Sequence, residues 1–122
     1  LAQVMPAVTI FESMKTDRIP LLENLLKNNQ NDAFTLFALA KEYEKIFDAK
    51  KAIEIYLRLK TYQSDYVGLY FHLGKLYENQ GLTSEALQVF EEGIAVSKKI
   101  GDFHAQSELQ GAHQNLQIEL DL

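Results

Sequence analysis

The 122-residue sequence predicts an all-α fold, a short solenoid of helix hairpins. Two features point to it. The chain matches itself at an offset of 34 positions, so that residues 33–66 fall on residues 67–100 without a gap. Within each unit the apolar residues return at three- and four-residue steps, which gathers them into one stripe along a helix. Composition agrees: 47% apolar residues in one domain's length can supply a core, which argues against general disorder.

The same composition removes several classes of function. A net charge of −5 and a pI near 5.1 speak against broad binding to nucleic acid or to an anionic membrane, both of which need a basic face. With no cysteine there are no disulfides, thiolate metal sites or cysteine nucleophiles. No apolar run approaches the roughly 18 residues of a membrane helix. The acidity is uneven, because residues 1–60 carry nine basic and eight acidic side chains, and residues 61–122 carry three and nine. A weakly basic binding region beside an acidic end, or two differently solvated surfaces, would each give that division.

Residues 1–18 read as an apolar N-terminal arm, and residues 19–122 as the repeat domain. Residues 1–13 are mostly apolar, with Glu12 as their one charge and Pro6 among them. They lack the basic start and small-residue cleavage site of a signal peptide. Either they are an extension ahead of a start at Met14, or they form an arm that docks in a groove of its own or a neighbouring molecule. Thirteen extended residues reach about 43–47 Å, enough to cross a few helices stacked 8–10 Å apart, roughly 30 Å. Val8, Ile10 or Phe11 would then meet the groove. Residues 19–29 predict a leucine-rich half-repeat helix, with Asp17 as its cap and Pro20 in the first turn, where a missing amide costs little.

In residues 33–47 the stripe is Leu36, Leu39, Ala40, Tyr43 and Ile46/Phe47; in 49–62 it is Ala52, Ile53, Tyr56, Leu57 and Leu59. The second unit repeats this with Val67, Tyr70, Leu73, Gly74 and Tyr77, a break at Asn79-Gln80-Gly81, then Ala86, Leu87, Phe90 and Ile94. Asp48, Asn31/Asp32 and Ser64/Asp65 stand where helix N-caps are needed. Small residues at Ala40/Gly74 and Ala52/Ala86 let two helices approach closely. Gly101 predicts the end of the fourth repeat helix. Residues 102–120 predict a polar-backed capping helix with Phe103, Leu109, Leu116 and Leu120 facing inward.

The order Tyr70, Leu73-Gly74, Tyr77, Ala86, Phe90 resembles the tetratricopeptide repeat (TPR), whose period is also 34 residues. The first unit is similar but looser, with Leu36, Leu39, Ala40, Tyr43, Ala52 and Tyr56. It has Ala40 in place of the family's Gly, and Ser64 and Lys98 stand where a Pro often ends a repeat. The third small position holds Leu59 in one unit and Gly93 in the other. The resemblance implies a right-handed superhelix of two full repeats, as in short stand-alone bacterial arrays. It also implies a concave binding groove lined by the first helix of each hairpin.

On that implied face the positions off the core stripe are Phe34, Phe37, Lys41, Glu44 and Lys45, then Gly68, Phe71, Lys75, Glu78 and Asn79. The last helix continues the row with Asp102, Ala105, Leu109 and His113. Phe34, Phe37, Lys41, Lys45, Phe71, Lys75, Glu78 and Leu109 are the candidate peptide-binding residues. Phe37/Phe71 and Lys41/Lys45/Lys75 would act differently. Burying one Phe contributes roughly 1.5–3 kcal/mol, whereas a solvated rim lysine contributes about 0–1 kcal/mol. The aromatics would set affinity, and the lysines orientation and encounter rate. The alternative is that both Phe residues pack on neighbouring helices and the lysines are simply solvated. The carboxylate clamp of chaperone-binding TPR domains is not matched, since its positions here hold Phe37, Lys41, Phe71, Lys75, Ala105 and Leu109 without the Asn residues.

Nothing in the pattern suggests catalysis, a metal or a cofactor. His104 and His113 are nine apart rather than at the i,i+4 spacing of a helical zinc pair, and His72 falls away from the implied groove. The glycines are scattered rather than gathered in a phosphate loop, and Ser64-Asp65 with His72 makes no evident triad. The expected role is a non-catalytic cytoplasmic adaptor or scaffold that binds a protein or peptide partner. The alternative is a structural module that self-associates through the groove, residues 1–13 or an end helix.

Overall fold

In the computed structural model the backbone is described from Ala7 and the side chains from Arg18. Among the described residues six helices follow one another: α1 (Ala7–Asn28), α2 (Ala33–Lys45), α3 (Ala49–Tyr62), α4 (Gly68–Asn79), α5 (Thr83–Ile100) and α6 (Phe103–Asp121). Helices α2 with α3 and α4 with α5 form two antiparallel hairpins. Helix α1 lies along α2 on one side, and α6 along α5, touching α4, on the other. This is the expected all-α array.

Caps and breaks fall where backbone chemistry requires them. Asp32 accepts hydrogen bonds from Thr35 N at 3.0 Å and Thr35 Oγ1 at 2.6 Å, which hold its carboxyl below the usual range. Asp48 caps α3 through Lys51 N at 3.1 Å, and Asp102 caps α6 through Ala105 N at 3.0 Å. Gly101, at φ 79°, closes α5 in the left-handed conformation that glycine adopts without a Cβ clash. Neither Ser64 nor Asp65 caps α4. That helix starts from Val67 with no side-chain cap, and the Ser64 carbonyl instead accepts from the Tyr70 hydroxyl.

The largest correction concerns the N-terminus. Helix α1 begins at Ala7, not at residue 19, so the backbone of residues 7–18 is helical rather than an extended arm. Residues 1–6 lie outside the described residues. Of the thirteen residues expected to extend across the groove, 7–13 are helical, and the side chains of Val8, Ile10 and Phe11 lie outside the described residues. Asp17 sits within the helix and not at its cap, and Pro20 is internal, where it gives up one backbone hydrogen bond. Leu22 and Leu26 bury themselves against α2, and Tyr43 donates to Glu23 Oε1 at 2.7 Å.

The core is a continuous seam of Leu36, Leu39, Ala40, Ala52, Tyr56, Leu59, Leu69, Tyr70, Leu73, Ala86, Phe90 and Leu109. Close approach explains the small residues. A Cβ on Gly74 would lie 2.6 Å from Phe90 Cδ1, and one on Gly93 would lie 2.6 Å from Tyr70 Cβ. Five residues expected to face inward do not, Ile46 at the end of α2 being the least exposed of them. Phe47, at φ 62° in the turn after α2, is 93% exposed; Phe103 is 77% exposed; Leu57 and Leu120 also face outward. Phe47 belongs to the turn because the helix has ended two residues earlier. Helix α5 is 18 residues long where its counterpart α3 has 14, and a shorter connection brings α6 in at Phe103, close to the 34-residue phase.

Candidate functional site

The first helices of the hairpins, α2 and α4, and the capping helix α6 share a row of clefts. One, of about 190 Å³, lies where α1 meets α2 and is lined by Arg18, Phe34, Phe37, Ala38, Lys41, Glu42 and Lys45. A second, of about 390 Å³, runs from Phe37 to Asp65, Tyr66, Val67 and Gly68. A third, of about 220 Å³, continues from Val67 and Gly68 past Phe71 and His72 to Asp102, His104, Ala105, Glu108 and Leu109. Phe37 is common to the first two, and Val67 with Gly68 to the last two, so the three form one groove across the array.

Aromatic rings make its floor. Phe37 is half-buried, with its ring 5.1 Å from Tyr66, 5.5 Å edge-on from His72 and 6.0 Å edge-on from Tyr56. Phe71 meets His72 edge-on at 6.1 Å. Such edge-to-face contacts are each worth about 0.5–1.5 kcal/mol beyond area burial. Phe37 thus both packs on its neighbours and presents a face to the groove. Phe34, at the start of α2, is 74% exposed. Lys41 stands 5.7 Å from the centre of the Phe37 ring, where a cation is attracted by the ring face.

Beneath the rings a polar network fixes α2, α3 and α4. Glu44 receives a hydrogen bond from the Tyr56 hydroxyl and pairs with His72 Nδ1 at 3.2 Å. Burial alone would raise the Glu44 carboxyl, but the hydrogen bonds from His72 and Tyr56 outweigh it and hold it below its ordinary value. Tyr56, desolvated and donating to that carboxylate, is pushed far up.

The candidate residues divide. Phe34, Phe37, Lys41 and Lys45 gather at the α1–α2 cleft, and Phe71 lines the third cleft. Lys75 pairs with Glu78 at 3.2 Å, one turn along α4. Leu109 lines the third cleft only from beneath: it is 1% exposed, packed beside Gly93 and Tyr70, which agrees with its expected inward-facing place on α6 and leaves it little surface to offer a ligand. His72, expected away from the groove, lines it among Phe37, Tyr56 and Phe71. Arg18, Glu42 and Tyr66 also belong to the groove and went unnoticed in the sequence. A signal existed for two of these residues, because at the 34-residue offset His72 stands opposite Ala38, and Glu42 opposite Leu76. Among the described residues no group of three His, Asp or Glu is placed to hold a metal ion, and no helix is long and apolar enough to cross a membrane.

Comparison with known proteins agrees with the architecture. Residues 67–100 match the family model described as Tetratricopeptide repeat. The chain is 31% identical over 88 residues to a TPR repeat-containing protein of Pseudomonas aeruginosa, covering 72% of this chain and 84% of that one. The crystal structure of a tetratricopeptide repeat domain protein from Salinibacter ruber is 40% identical, with a TM-score of 0.68 over 70% of this chain and 97% of that chain. PcrH, in complex with the chaperone binding region of PopD, shares the fold at 11% identity, with a TM-score of 0.81 over 98% of each chain.

Proposed function

The chain belongs to the tetratricopeptide repeat family, and from that premise we propose that it is a non-catalytic adaptor holding an extended peptide or helix of a partner protein in its concave groove. One observation carries the reading: three clefts run together over α2, α4 and α6 on a floor of half-buried aromatics, with Phe34 standing almost wholly in solvent. Burying that ring and the open faces of Phe37 and Phe71 would contribute roughly 1.5–3 kcal/mol for each ring fully covered. The binding residues in this proposal are Phe34, Phe37, Lys41, Lys45 and Phe71. Lys75 and Glu78 serve as a rim pair. PcrH, which is solved with a segment of PopD, supplies a precedent for a protein segment bound to this fold. We place the role in the cytoplasm as part of the same proposal.

The test is affinity capture with the native chain and with Phe34→Ala/Phe71→Ala, helicity being checked by circular dichroism. Partners held by the native chain and released by the double variant are the expected result; equal capture by a folded double variant would move the site off this face. A second reading, self-association, draws on apolar side chains exposed on the end helices, Leu21 and Leu25 on α1 and Ile118 and Leu120 on α6. A mass that stays monomeric by light scattering as concentration rises would remove it.

A further inference from the structure

We infer that the cleft between α1 and α2 is a side-chain pocket selecting a carboxamide, the side chain of a glutamine or asparagine in the bound segment, and that Glu42 sets this choice. The inference rests on the groove being the binding face and adds the chemistry of one of its positions. It starts from a residue out of place. Glu42 is 2% exposed, yet in the second repeat the same position is the buried Leu76. A buried carboxylate where the sister repeat has a leucine breaks the local rule, and such breaks concentrate at functional positions.

Glu42 is half satisfied. Its Oε1 pairs with Arg18 Nη1 at 3.1 Å and Lys45 Nζ at 3.2 Å, while the buried Oε2 has no hydrogen-bond partner among the described residues. A buried acceptor without a donor is costly, and any ligand that supplies a donor recovers that cost on binding. Glu42 lines a cleft of about 190 Å³ with Phe34, Phe37, Lys41, Lys45 and Arg18, a volume suited to one medium side chain. The surroundings discriminate among donors. An ammonium would satisfy Oε2 but meet Arg18, Lys41 and Lys45; a carboxylate would meet those cations but confront Oε2 with a second acceptor. A carboxamide does both. Its NH₂ donates to Oε2 once the Glu42 carboxylate turns that oxygen from its closed position toward the cleft, its carbonyl accepts from Lys41 or Arg18, and its methylenes lie along Phe34 and Phe37.

The test uses four fluorescein-labelled peptides of alternating leucine and serine that differ only in one central residue: glutamine, glutamate, lysine or leucine. By fluorescence anisotropy with the whole chain, the glutamine peptide should bind about tenfold tighter than each of the others. In Glu42→Gln the pocket gains an amide donor and keeps its cations, so preference should move to the glutamate peptide. An unchanged order in that variant would overturn the assignment. Should Glu42→Gln lose its helicity, Phe34→Ala removes an exposed wall instead and should weaken the glutamine peptide several-fold; unchanged affinity would overturn the assignment equally. Four equal affinities would end the pocket while leaving the groove, and no binding by any peptide would end both.

Discussion

Phe47 offers a direct measurement of what one turn costs the fold. Among the described residues it is the non-glycine residue with positive φ, at 62°, and the second repeat places Gly81 there at φ 77°. For a residue with a Cβ the left-handed conformation costs roughly 1–2 kcal/mol. Because the side chain is 93% exposed, Phe47→Gly loses almost no packing. Against the relief stands the larger backbone entropy of glycine in the unfolded chain, about 0.5–1 kcal/mol. The balance is a gain of about 0.5–1 kcal/mol, which in a chain of this length corresponds to about 2–5 °C in Tm. The reciprocal variant, Gly81→Ala, has nothing within 4 Å of its new Cβ, so its loss of roughly 1 kcal/mol would be backbone strain alone. Urea unfolding followed by circular dichroism measures both, with an unchanged m-value marking a change in stability alone. A destabilised Phe47→Gly, or a neutral Gly81→Ala, would refute the reasoning, since the first would need a contact for Phe47 and the second an unstrained Cβ.

Other substitutions separate packing from charge. Gly74→Ala drives a methyl into the Phe90 ring and should cost about 1–3 kcal/mol despite better helix propensity, whereas Gly111→Ala, with open space around its Cβ, should gain up to about 1 kcal/mol; urea midpoints compare them. Glu42→Leu restores the residue of the sister repeat and removes a desolvated carboxylate whose partners, Arg18 and Lys45, are themselves exposed and are not left as buried charges, so the variant should melt no lower than the native chain. Alkali should weaken the fold. Desolvation raises Tyr43 to about 12, helped by Glu23, and also raises Tyr56, Tyr66, Tyr70 and Tyr77. These groups contribute stability that is complete below the unfolded value near 10 and is lost as pH rises toward their folded values. Urea midpoints should therefore fall from about pH 10 upward, and in a Tyr62→Phe chain, which lacks the one tyrosine that is 61% exposed, tyrosinate absorbance should rise together with the loss of helicity; free ionisation of the other five in the folded chain would contradict the burial.

The fold was legible because the chain states it twice. Leu36/Tyr70, Leu39/Leu73 and Ala52/Ala86 report one hairpin in two copies, and a core position seen in one repeat is checked by the other. Legibility fails where the copies stop agreeing. On α6 the apolar spacing placed Leu109 and Leu116 inward, where they are buried, whereas extending the 34-residue row also counted Leu109 in the groove, where it is 1% exposed. Helix α1 has no counterpart with which to compare its length, and the apolar run before Pro20 carries no period that distinguishes a helix from an arm. At the site, agreement between repeats drew attention to Phe37/Phe71 and Lys41/Lys75, but agreement also marks what the scaffold needs. Phe37 is in part a packing residue, and Lys75 is taken up by Glu78. The informative positions are the disagreements at buried sites. Leu76 shows that a leucine suffices for the stack, so Glu42 is not required by it; Gly81 shows that the turn prefers no side chain, so Phe47 is not required by it either. A repeat protein carries its own control for each position, and a residue that departs from that control at a cost in burial or strain is where function should be sought before any residue the repeats share.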